Sequence, residues 1–106
     1  MAAGDRFFGP NVATGELVGT GAAITVTLDF LPQKVEIINR TNNTFGFWFN
    51  PMPSASAQIT VDSGSGTTDV SFITTDGITA GNSGFILGAN ASLNSAASVI
   101  YWVAYR

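Results

Sequence analysis

The chain has 106 residues, room for one hydrophobic core and not two. Only 10% of them are charged, against roughly 25% in an ordinary soluble domain, and the four Lys and Arg residues leave a net charge of −3. With Arg6, Lys34, Arg40 and Arg106 scattered rather than clustered, nucleic-acid binding by counterion release and attraction to an anionic membrane surface are excluded.

Cysteine and histidine are both absent. Disulfides, thiolate metal sites and His-based nucleophilic triads are therefore ruled out. Acid–base chemistry is left to carboxylates. Asp62, Asp69 and Asp76 recur every seven residues, but each falls at an expected strand end or turn, where Asp bonds its own backbone. The stretch Asp62–Asp69 lacks the alternating acidic ligands and closing Glu of a calcium loop. The expectation is a protein that is not an enzyme, with no catalytic residues, no metal and no cofactor. A surface so poor in ions suits burial against partners, because interface centres are depleted in charge.

In chain order, residues 1–13 read as an N-terminal arm, with Phe7-Phe8 set among Gly4, Gly9 and Pro10. Residues 14–106 read as the folded domain. Its strands are expected as a short one at Glu16-Leu17-Val18, then Ala23–Leu28, with Ile24, Val26 and Leu28 on one face. They continue with Lys34–Asn39, and with Thr44–Asn50, where Phe45, Phe47 and Phe49 oppose Trp48. Ala57–Asp62, Val70–Thr75, Gly84–Gly88 and Ser98–Tyr105 complete the set. About eight short strands at roughly 10–14-residue spacing, separated by Gly, Asn, Ser and Pro, predict an all-β antiparallel sandwich, jelly-roll-like. No helical repeat is evident, and Ala89–Ala97 holds one helical turn at most. Residues 1–6 lack a signal-peptide pattern and no apolar run reaches the roughly 20 residues of a membrane span. Synthesis in the cytosol, without a cleaved signal and with no membrane partner, is the expectation.

The last strand is apolar on both faces: Val99, Tyr101, Val103 and Tyr105 on one, Ile100, Trp102 and Ala104 on the other. A two-layer sandwich needs one apolar face, so the second must be covered by a loop, by the arm or by another subunit. Trp48, Trp102, Tyr101 and Tyr105 have three readings: core packing, subunit interface or a sugar-stacking platform. Phe7, Phe8, Trp48, Tyr101, Trp102 and Tyr105 are the interface candidates. Asn39-Arg40-Thr41, Asn42-Asn43-Thr44 and Asn90-Ala91-Ser92 match the glycosylation pattern by chance in an Asn/Thr-rich chain.

Phe30-Leu31-Pro32-Gln33-Lys34-Val35-Glu36-Ile37-Ile38-Asn39-Arg40-Thr41, followed by Phe45-Gly46-Phe47-Trp48-Phe49, resembles a segment of small structural proteins of tailed bacteriophage virions. Asp76-Gly77-Ile78, Gly84-Phe85-Ile86-Leu87-Gly88, Ala91-Ser92-Leu93-Asn94 and Ile100–Arg106 extend the similarity over about residues 28–106. The resemblance implies a β-sandwich virion component, either a capsid decoration (cement) protein or a tail-fibre piece. It further implies a homo-oligomer, trimer favoured, seated on the major capsid protein or another virion protein. The expected role is cementing the shell between capsomers. The alternative is a tail-fibre or receptor-binding module stacking host glycans on Trp48 or Trp102.

Overall fold

The computed structural model describes the backbone of Phe7 and Phe8 and all of residues 11–106. Nine strands run through them: β1 (Phe7–Phe8), β2 (Val12–Val18), β3 (Ile24–Thr27), β4 (Lys34–Asn39), β5 (Thr44–Phe49), β6 (Ser56–Asp62), β7 (Thr68–Gly81), β8 (Gly84–Leu87) and β9 (Val99–Tyr105). All pairs are antiparallel and all belong to one sheet, in the order β1-β2-β9-β4-β5-β6-β7-β8-β3. No helix occurs among the described residues. Period-two alternation produced these strands: in β4 Val35, Ile37 and Asn39 are buried and the residues between them are not.

The sheet curls. Strands β9 and β8 stand five strand spacings apart in its order, which in a flat sheet is roughly 24 Å. Yet the rings of Trp102 on β9 and Phe85 on β8 meet edge to face with centroids 5.4 Å apart. The result is a half-barrel, where the sequence pattern suggested two separate sheets in a sandwich. β7 makes the bend. Its first part, Thr68–Ile73, pairs with β6, and its last part, Ile78–Gly81, pairs with β8. Ala57 faces Ile73 while the neighbouring Ser56 faces Ile78, so residues 74–77 bulge out of register and turn the chain. Asp76 sits at φ 58°. At Gly77 a Cβ would lie 2.6 Å from the Ser56 backbone, so only glycine fits.

The concave side holds the core: Val26, Leu28, Phe30, Val35, Ile37, Trp48, Ile59, Ile78, Phe85, Leu87, Leu93, Ile100 and Trp102 pack together. The segment leading from β3 into β4 closes over it, with Phe30 and Pro32 buried. The expected division at residue 13 needs correcting. Val12 and Ala13 are the first residues of β2, paired with Tyr105 and Ala104, and Ala13 is fully buried. Strand β9 has a free side there, and pairing it satisfies backbone groups. β1 adds to the outer edge of β2 through Phe7 opposite Thr14 and Phe8 opposite Ala13. The side chains of Phe7 and Phe8, and residues 1–6, 9 and 10, lie outside the described residues.

Candidate functional site

The convex side of the sheet carries the unusual chemistry. Cross-strand register sets three rows of side chains on it. One runs Tyr105, Lys34, Phe49. The next runs Val103, Glu36, Phe47, Gln58, Phe72. The third runs Tyr101, Ile38, Phe45, Thr60, Val70. On β5 the three phenylalanines form a ladder, Phe45 to Phe47 and Phe47 to Phe49 each 5.9 Å between centroids. Among the exposed large apolar side chains are Ile38 at 48%, Phe49 at 42%, Phe72 at 51% and Val70 at 62%.

The scale of this surface sets it apart. Seven side chains of the rows, Ile38, Phe45, Phe49, Val70, Phe72, Tyr101 and Tyr105, are each more than one third exposed. At ~150–250 Å² per aromatic, they expose on the order of 600 Å². A typical monomer's largest apolar patch is roughly 300–600 Å², and one partner of a standard interface buries about 800 Å².

The polar groups on this face satisfy one another. Lys34 Nζ is 3.3 Å from Glu36 Oε2 and 5.8 Å from the centre of the Tyr105 ring. Tyr105 Oη donates to Glu36 Oε1 at 3.3 Å, and Arg40 Nη1 donates to Tyr101 Oη at 3.2 Å. One cation and one anion thus cancel in the middle of the aromatic rows.

The interface candidates divide across the sheet. Tyr101 and Tyr105 lie on the convex face, each more than one third exposed. Trp48 and Trp102 do not; both are buried in the core. Trp48 Nε1 donates to the carbonyls of Met52 and Pro53, both at 3.1 Å, whereas Trp102 Nε1 is buried without a partner among the described residues. Neither indole offers a ring to a subunit or a sugar, and the expectation that they anchor a partner is corrected on that ground. Their strands alternate so that the larger ring fills the half-barrel. Phe45, Phe47 and Phe49 take the outward positions instead. The sequence signal was present, since they were seen to oppose Trp48, but which side faced water was not legible from alternation alone.

The asparagines serve the loops. Asn39, fully buried, donates through Nδ2 to Leu93 O at 2.9 Å and Ser98 Oγ at 3.0 Å, and its Oδ1 accepts from Asn42 N–H. Asn94, also fully buried, donates to Ala22 O and Gly88 O and accepts from Thr20 N–H. Asn90 Oδ1 caps the turn that follows it, accepting from Ser92 and Leu93 N–H. Asp62 Oδ1 accepts from Gly64 N–H at 2.9 Å, an Asx turn heading the β6–β7 loop. Asp69 and Asp76 lie within β7. Among the described residues no group of three or more His, Cys, Asp or Glu is placed to hold a metal ion, and no helix is long and apolar enough to cross a membrane.

No family model, characterised protein or solved structure matches this chain.

The carriers of the resemblance noted above have physical roles here. Phe30, Pro32, Val35, Ile37 and Asn39 all point into the core or its polar rim. Thr41 Oγ1 accepts the Val99 N–H at 2.9 Å. Those residues belong to the fold. The convex aromatic face lies on the other side of the same strands.

Proposed function

We propose that this chain is a virion structural protein, a capsid decoration (cement) protein that binds an assembled shell between capsomers through its convex apolar face. The observation that carries the reading is the continuity of that face: two rows of mainly aromatic and aliphatic side chains cross five strands and a third crosses three, with Lys34 and Glu36 paired among them. A surface of this kind is costly in water and suits a partner surface of matching shape. The low charge of the chain supports the same reading, which the resemblance of residues 28–106 first suggested.

Cementing works by mass action. A protein that binds the assembled shell and not its dissociated subunits stabilises the shell by RT ln(1 + [L]/Kd), about 2.7 kcal/mol per site at a hundredfold excess over Kd. The partners are the major capsid protein, or another virion protein, and further copies of the chain, with the trimer implied by the resemblance. The sandwich-like layering suggested by the strand pattern is completed, in this reading, by whatever surface covers the convex side. The protein resides in the virion and is made in the host cytoplasm.

The test is co-sedimentation with shells of the encoding virus assembled without this protein. The wild type should bind and raise the temperature at which the shells fall apart. Ile38→Lys with Phe45→Lys should lower occupancy about tenfold or more while the chain stays folded. Shells that neither retain the wild type nor gain thermal resistance would end the cement reading. The alternative, a receptor-binding module for host glycans, has lost both indoles as a stacking platform. Glycan-array binding abolished by Tyr101→Ala would favour it over cementing.

A further inference from the structure

Among the described residues nothing lies on the outer side of the first part of β7. Thr68–Ile73 pair with β6, and β8 does not join until Ile78. Residues 68–72 are all exposed, as are 74–76. Beyond that point the edge is occupied: Asp76 and Gly77 carbonyls accept from Asn90 and Gly88 N–H. In an antiparallel strand alternate residues turn their N–H and C=O away from the existing partner. Among the described residues, the run 68–73 therefore presents an unpaired row of backbone donors and acceptors.

Natural edges are blunted by Lys, Pro, bulges or covering loops. Thr68-Asp69-Val70-Ser71-Phe72-Ile73-Thr74-Thr75 contains no Lys and no Pro, and its bulge begins only after Ile73. Its one charge is Asp69. The segment is rich in β-branched residues, and its outward side chains, Val70 and Phe72, end the apolar rows of the convex face.

We propose that this edge is a self-association site, where Asp69–Ile73 pairs antiparallel with the same segment of a second copy about a two-fold axis at Ser71. This goes beyond the virion reading and does not depend on it. The register follows from the side chains. With Ser71 opposite Ser71, each Val70 meets a Phe72 on the convex face, twice over, giving aromatic–β-branched pairs of the favourable kind. Each Asp69 meets an Ile73, so the two carboxylates stand about four residues, roughly 14 Å, apart along the strands. A register centred on Asp69 would set the two carboxylates directly opposite each other, which is destabilising. A two-fold axis normal to the sheet keeps both convex faces on one side. The aromatic rows of the two copies then run on as one surface.

The chain has no cysteine, which makes the register testable. The wild type should dimerise reversibly in sedimentation analysis. On dilution, amides within 69–73 should lose hydrogen-exchange protection while those of β4 and β9 keep it. Phe72→Lys and Val70→Lys should each stay folded by circular dichroism and weaken dimerisation about tenfold or more. Phe45→Lys, on the same face but in β5, should leave it unchanged. Under mild oxidation Ser71→Cys should form a disulfide-linked dimer. Thr68→Cys should not, because its two copies lie roughly 20 Å apart in this register. A wild type monomeric up to millimolar concentration overturns the proposal, as does equal cross-linking at positions 68 and 71. Dissociation by Phe45→Lys as strong as by Phe72→Lys would assign the contact to the face and not the edge. A wild type that dimerises but does not bind shells would count against the cement reading alone.

Discussion

A single amide shows what holds the loop end of this molecule. Asn39 is fully buried and uses its Nδ2 on Leu93 and Ser98 in the distant loop before β9 and its Oδ1 on Asn42 in the adjoining turn. Asn39→Leu keeps most of the volume but strands the Leu93 carbonyl and the Asn42 N–H. It should cost about 2–4 kcal/mol, read from urea midpoints at unchanged slope. Gly15 makes the same point by sterics. It faces Trp102 across β2 and β9, and a Cβ there would lie 2.6 Å from the indole. Gly15→Ala should destabilise by about 1–3 kcal/mol, visible as a lower Tm and altered tryptophan fluorescence. By contrast, the Lys34–Glu36 pair is largely in water. Lys34→Met should change stability by no more than about 0.5 kcal/mol. The roles of Asn39 and Asn94 were not legible in the sequence. Their partners are backbone carbonyls 54 and 72 residues away, which no local pattern records.

At the scale of elements, β4 was legible to the residue. Six residues alternate cleanly between a buried and an open side, and Pro32 and the 40–43 turn bound them. β7 was not. Its second part, Ile78 to Gly81, contains Ala80-Gly81, and Asp76-Gly77 precedes it. These are breakers by local propensity. They belong to a strand because the sheet bends there, and a bend needs residues that tolerate positive φ and close backbone approach. Gly77→Ala drives a Cβ into the Ser56 backbone. It should destabilise by about 2–3 kcal/mol and loosen the β7–β8 pairing first, measurable as early hydrogen exchange in β8. The stretch at 89–97, expected to hold one helical turn at most, makes a single turn in which Asn94 N–H bonds Asn90 O at 2.8 Å before the chain leaves for β9.

At the scale of the molecule, the described chain is compact: the radius of gyration, 12.9 Å, is about that expected for a folded domain of this length. Its two sides differ. The concave side gathers Trp48, Trp102 and the large aliphatics, while the convex side leaves phenylalanines and tyrosines in water. A chain with this surface should bind a hydrophobic dye in its native state. The triple variant Phe45→Thr, Phe49→Thr, Phe72→Thr should abolish most of that signal while the near-ultraviolet spectrum, dominated by the buried indoles, persists. Such a result would show that the convex aromatics serve association and not folding.

By itself the sequence determined that the chain is all-β and antiparallel, that it lacks thiol and imidazole chemistry, that it is poor in charge and that its last strand is apolar on both faces. Composition and period-two alternation are local properties, and they carried that far. Only the tertiary structure decided that the strands form one curled sheet, that the tryptophans fill its hollow, and that the phenylalanines face out. It also decided that the first half of β7 is left with an edge unpaired among the described residues. Alternation divides a strand into two sides without saying which is inner. That choice belongs to the curl, which depends on a four-residue bulge in β7 and on ring contacts between strands far apart in the chain.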